Sequence, residues 1–117
     1  MAKSDGHIKA KRQEQRITRS LNQIKEEARN ALASGSKWFA KSDVISKHFR
    51  IEAKTKATPS KSFSIKREWL DKIGAEAFET GKIPVLAFSF GDNKDYFVLE
   101  DRHFYELVEE FVRGRGK

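Results

Sequence analysis

The chain contains no cysteine, which excludes a disulfide frame and any zinc site built on thiolates. Its three histidines are scattered and lack the paired spacing of a histidine metal site. Any metal must therefore be held mainly by carboxylates. No stretch approaches the roughly 20 apolar residues needed to span a bilayer, and no charged-then-apolar leader suggests export, so the expectation is a cytoplasmic protein with no membrane partner. What the chain does have is charge: 35% of its 117 residues are Asp, Glu, Lys or Arg, and the balance is +7. With a pI near 9.7, it suits a polyanion. Nucleic acid is the usual one, because lysines and arginines that neutralise phosphates release condensed counterions.

The length suits one domain. Residues 1–11 are polar and basic without apolar periodicity and read as a flexible arm, residues 12–112 as the folded domain, and residues 113–117 as a basic tail. From 12 to 32, Ile17, Leu21, Ile24, Ala28 and Leu32 recur at three- and four-residue steps and predict an amphipathic helix, stopped by Ala33-Ser34-Gly35-Ser36. Residues 42–54 read as a hairpin. Its second strand alternates, with Phe49, Ile51 and Ala53 on one side and His48, Arg50, Glu52 and Lys54 on the other. After an exposed connection at 55–63, Ser64 is placed to cap a helix carrying Ile65, Trp69, Ile73 and Ala77 and ending at Gly81. Residues 85–90 form a short apolar run expected to be a buried strand, residues 91–94 turn, and Tyr96 to Leu99 return. Asp101 is placed to cap a last helix whose Phe104, Leu107, Val108 and Phe111 face inward, with pairing to a second copy as the other use of that face.

The chemistry concentrates on the hairpin. Side chains two apart on a strand project together about 7 Å apart, so Glu52 and Lys54 address one substrate group. If Ser46-Lys47 is a two-residue turn, Asp43 pairs across from Arg50 and shares the face of Glu52, while Val44 pairs with Phe49 on the core side. Two adjacent carboxylates repel until a cation sits between them, and hard oxygen ligands suit Mg²⁺, with Mn²⁺ as substitute. Such a cup activates a water for attack on a phosphodiester, and Lys54 offsets charge on the phosphoryl oxygens or positions the water. Glu14, three residues before Ile17, either extends the inward stripe as a further ligand or sits in a fraying first turn. Asp92-Asn93-Lys94 repeats the acid-x-lysine spacing, but in a turn, where its carboxylate suits capping.

These residues resemble the PD-(D/E)xK nuclease superfamily, and more narrowly the small Holliday junction resolvases of archaea and bacteriophages. The resemblance covers nearly all of 12–111. It rests on Arg12-Gln13-Glu14, Ser34-Gly35-Ser36, Lys41-Ser42-Asp43-Val44, Phe49-Arg50-Ile51-Glu52-Ala53-Lys54-Thr55 and Gly81-Lys82-Ile83-Pro84-Val85-Leu86. It implies an α/β fold of the restriction-endonuclease-like kind, a mixed β-sheet flanked by helices in the order α-β-β-α-β-β-α. It also implies Asp43, Glu52 and Glu14 as metal ligands, Lys54 as the catalytic lysine, and a Mg²⁺-dependent homodimer that nicks branched DNA in recombination, in host cytoplasm if the chain is phage-encoded. Two departures stand out: Ser42 replaces the proline that names the motif, and the 55–63 connection is long.

Around this site Ser34, Ser36, Lys37, Lys41, Arg50, Lys56, Lys61 and Lys72 are the expected contacts to branched or duplex DNA. Trp38 and Phe39 serve either base stacking or the core. Lys72 either points back to the strand face or lies solvated, and Arg50 either reaches a phosphate or pairs with Asp43. A non-catalytic DNA-binding module of the same fold is the alternative function, and a partner for acidic protein is a third.

Overall fold

The computed structural model describes residues 5–30 and 42–115. The elements run α1 (Asp5–Gln23), β1 (Arg29–Asn30), β2 (Val44–Ile45), β3 (Phe49–Thr55), α2 (Arg67–Thr80), β4 (Ile83–Ser89), β5 (Tyr96–Val98) and α3 (Asp101–Arg115). The strands form one sheet in the order β1-β2-β3-β4-β5. All neighbours are antiparallel except β3 and β4, which run parallel for seven residue pairs. This is a mixed five-stranded α/β sheet with three helices.

A parallel pair needs a crossover, and α2 supplies it. Its Ile73 and Ala77 are buried, and Gly81 ends it in the left-handed conformation at φ 66°, with its N–H returned to the last turn as the sequence predicts. The helix starts at Arg67 behind Lys66 with no side-chain cap, so Ser64 does not cap it. The other face of the sheet receives α1. Ile17 packs with Val44, Ile51, Val85 and Ala87, and Leu21 and Ala28 close the edge. Helix, sheet and helix thus form three layers, and alternation along β3 sends Phe49, Ile51 and Ala53 to the α1 side and Arg50, Glu52 and Lys54 to the α2 side.

Several expectations are corrected. Helix α1 begins at Asp5, within the stretch expected to be a flexible arm; residues 1–4 lie outside the described residues. Its inward stripe runs upstream through the buried amide of Gln13 rather than through an apolar residue, and Lys9 donates to the carbonyl of Gly91 at 2.9 Å. That polar interruption concealed the periodicity. The helix also stops at Gln23, not near Leu32. Lys25 and Glu27 adopt left-handed backbone at φ 66° and 46°, Asn22 clasps Ala28 through both its amide atoms, and Ile24 is left outside. Ala28 still reaches the core, from extended chain.

The hairpin register is Val44↔Ile51 and Ile45↔Arg50, with Ser46 bonded to Phe49, so the two loop residues are Lys47 and His48 rather than Ser46 and Lys47. Glu26 explains the choice: it accepts from Ser46 Oγ and the His48 N–H and holds His48 Nδ1 at 2.8 Å. Because the shift is two residues, every side chain keeps its face.

Finally, α3 does not bury its apolar stripe. Only His103 of this helix is buried, whereas Phe104, Leu107, Val108 and Phe111 are exposed. Residues 113–115, expected as part of a basic tail, continue the helix.

Candidate functional site

Beyond the end of β2 the same register sets Asp43 across from Glu52. Having no strand partner of its own, Asp43 turns its carboxylate onto the edge of β3, where Oδ2 accepts the Ala53 N–H at 2.8 Å. Glu52 is 6% exposed. Its Oε1 lies 3.0 Å from Lys72 Nζ and its Oε2 3.5 Å from Lys54 Nζ. A buried carboxylate needs such partners, and two ammonium groups from different elements provide them. Lys54 also stands over the Trp69 ring, 4.8 Å from its centroid. Lys72 therefore points to the strand face, the first of the two uses the sequence allows.

Glu14 approaches from α1. Burial pushes its carboxyl up to about 7, and the charges of Asp43 and Glu52 push the same way against Lys11. Asp43 is raised to about 6, first by burial and then by Glu52, while the Ala53 N–H, Lys54 and Lys72 pull it down. Burial acts to lower Lys72, but its contacts with Glu52 and Glu76 outweigh that and raise it. Three acids on α1, β3 and the segment before β2 thus sense one another electrostatically. Mutual repulsion of this kind is what a divalent cation relieves, so the donor set suits a hard ion. Among the described residues no three His, Asp or Glu side chains converge into a ready-made metal cage.

Arg50 is buried, and its Nε donates to Ser42 Oγ at 2.9 Å rather than pairing with Asp43. Lys56 lies 5.7 Å from the centroid of Phe63, and Lys61 is exposed on the same connection. Ser34, Ser36, Lys37, Trp38, Phe39 and Lys41 lie outside the described residues.

Several residues escaped the sequence reading. Glu76 accepts from Ser42 Oγ at 2.6 Å and pairs with Lys72 at 3.4 Å, so Ser42, the residue before Asp43, is tied to α2 and to Arg50. The signal was there, since Glu76 is four residues from Lys72 on one helix face. Gln13 donates to the Lys54 carbonyl at 2.9 Å and to Asp95, which also takes a two-pronged bond from Arg16 at 2.7 Å. This network docks α1, and with it Glu14, onto the end of β3. Asp95 in a turn carried no signal for that role.

Comparison with protein-family models, with characterised proteins and with solved structures yields no match.

Proposed function

We propose that this chain is a metal-dependent endodeoxyribonuclease of the PD-(D/E)xK kind, acting on branched DNA as a Holliday junction resolvase. The observation that carries the reading is the convergence on Glu52: a buried carboxylate between two ammonium groups, with Asp43 and Glu14 within electrostatic reach, in a chain of net charge +7. The element order supports it, since the mixed sheet with α2 crossing between parallel β3 and β4 fits a restriction-endonuclease-like core, with β1 as an addition.

Asp43 and Glu52 would hold Mg²⁺ or Mn²⁺, with Glu14 as a third acid. Such an ion supplies positive charge at the phosphoryl oxygens and acidifies a water. The chain's own contribution is positional. Lys54 sets its ammonium where negative charge grows on phosphorus-bound oxygen, Lys72 adds a second one, and the Ala53 N–H fixes which oxygen of Asp43 stays free. Lysines on the 55–63 connection extend the positive surface along the DNA. The non-catalytic reading draws on the fact that both oxygens of Glu52 already have ammonium partners.

The homodimer belongs to the same proposal. Phe104, Tyr105 and Phe111 keep more than half their surface exposed, and Leu107, Val108 and Val112 at least 40%. With roughly 100 Å² for each half-exposed aromatic and somewhat less for each aliphatic, α3 together with exposed Phe78 and Leu70 offers on the order of 800 Å², the share one partner contributes to a standard interface.

The test is cleavage of labelled four-way junction, flap and duplex DNA by wild type and Glu52→Gln, with Mg²⁺, Mn²⁺ or chelator. Paired nicks on the junction, dependent on metal and lost in the variant, are expected. No cleavage of any substrate by wild type refutes the nuclease, and DNA binding that survives both Asp43→Ala and Glu52→Ala without any cleavage establishes the binding module.

A further inference from the structure

Beside Glu52 the α2 face of the sheet changes character. The register aligns Glu52 with Leu86 and Val98 in one cross-strand row, and Lys54 with Phe88 and Tyr96 in the next. The first row, through Leu86 and Val98, shares a cavity with Ile73 of α2, whereas the second meets only the first turn of the helix, through Trp69 against Lys54. Around that second row the contacts are made by rings. Phe88 stacks on Phe63 at 5.1 Å and on Tyr96 at 5.4 Å, Phe90 meets both Phe88 and Tyr96 edge-on, and Phe63 leans on Trp69 at 6.1 Å. Tyr96 is 43% exposed, and Phe63, Trp69, Phe88 and Phe90 are half-buried.

Three ammonium groups lie on or beside these rings: Lys54 and Lys66 at Trp69, and Lys56 at Phe63. We infer that this row of rings and lysines is a stacking platform for unpaired bases, the lysines taking the phosphates and Tyr96 and Phe63 the base faces. A duplex offers side chains its base edges and keeps its base faces stacked inside, so a partly exposed row of rings matches splayed or single-stranded nucleotides. The lysines exclude a purely apolar ligand, and stacking on rings needs a planar one. Lys54 belongs to both places: its ammonium is 3.5 Å from Glu52 and 4.8 Å from the Trp69 centroid, so a strand on the platform leads directly to the acids. In that last respect, where the strand leads, the inference rests on the nuclease reading; base stacking does not.

The experiment is binding of end-labelled oligothymidylate of about 15 nucleotides, and of a blunt duplex of equal length, to the full chain in chelator at low salt. The variants are Tyr96→Leu, which keeps an apolar body without a π-face, and Tyr96→Phe, which keeps the ring. Oligothymidylate affinity is expected to fall about tenfold in Tyr96→Leu, to stay within about twofold in Tyr96→Phe, and duplex affinity to stay within about twofold in both. Failure of wild type to bind oligothymidylate, unchanged single-strand affinity in Tyr96→Leu, or a parallel loss on duplex each overturns the platform. Since no metal is present, these outcomes are independent of whether the protein cleaves.

Discussion

The ammonium of Lys72 lies 3.0 Å from Glu52 Oε1, bringing a helix side chain onto the strand carboxylate that the acid-x-lysine spacing singles out. The same ammonium reaches Glu76, and Glu76 reaches Ser42, so one turn of α2 touches both the acid of β3 and the residue preceding Asp43. A cation there competes with any other cation for the same oxygens.

Replacing Lys72 by methionine removes that competitor. Affinity for Mg²⁺, measured calorimetrically, is expected to rise about three- to tenfold, since the two charges interact across a partly solvated gap. Unchanged or weaker binding would show that metal does not meet Glu52.

The raised acids make stability depend on pH. Glu14 has a folded value of about 7 against 4.5, and Asp43 about 6 against 3.8. Because the folded state holds these protons more tightly, it is favoured below pH 4 and loses that advantage as pH rises through 6 to 7. Glu14→Gln should therefore stabilise the metal-free protein at pH 8 by about 1–2 kcal/mol, after discounting for the carboxylate's partial exposure, and by nothing measurable at pH 4. Urea unfolding at the two pH values checks this, and a gain equal at both would refute it.

Asp95 holds Arg16 through two bonds of 2.7 Å and also accepts from Gln13. Asp95→Ala strands the Arg16 guanidinium and removes one of the two bonds of the buried Gln13 amide, and is expected to cost about 2–3 kcal/mol in urea unfolding. A cost under about 0.5 kcal/mol would mean that Asp95 contributes little to docking α1.

On α3, Leu107→Glu with Phe111→Glu should convert a particle of twice the chain mass into one of single mass by light scattering, with monomer stability changed by less than about 0.5 kcal/mol because both side chains are exposed in the monomer. A wild-type protein of single mass at micromolar concentration would remove the dimer.

The existence of the helices, a buried strand expected at 85–90 and found at 83–89, and the stop at Gly81 were legible because each rests on local chemistry: apolar periodicity, a short apolar run, a residue that tolerates positive φ. Both ends of α1 were misjudged for opposite reasons. Gln13 occupies a core position that a hydrophobic pattern does not count, and Ile24 satisfies the pattern while standing in water. The stripe on α3 is real, yet periodicity says which residues share a face, not what that face meets. Glu52, Lys54 and Asp43 were found on strand alternation, and a register error of two residues left their faces intact.

The sequence by itself determined which groups share a face, because backbone geometry of period 2 or 3.6 depends on nothing distant. It thereby marked Asp43, Glu52 and Lys54 as a set. Only the tertiary structure decided what each group meets: that Lys72 and Glu76 face Glu52 and Ser42, that Glu26 selects the hairpin loop, that Arg50 is buried, and that α3 leaves its rings exposed. Most of those contacts join residues twenty or more positions apart, and their energies exist only once the sheet has brought them together.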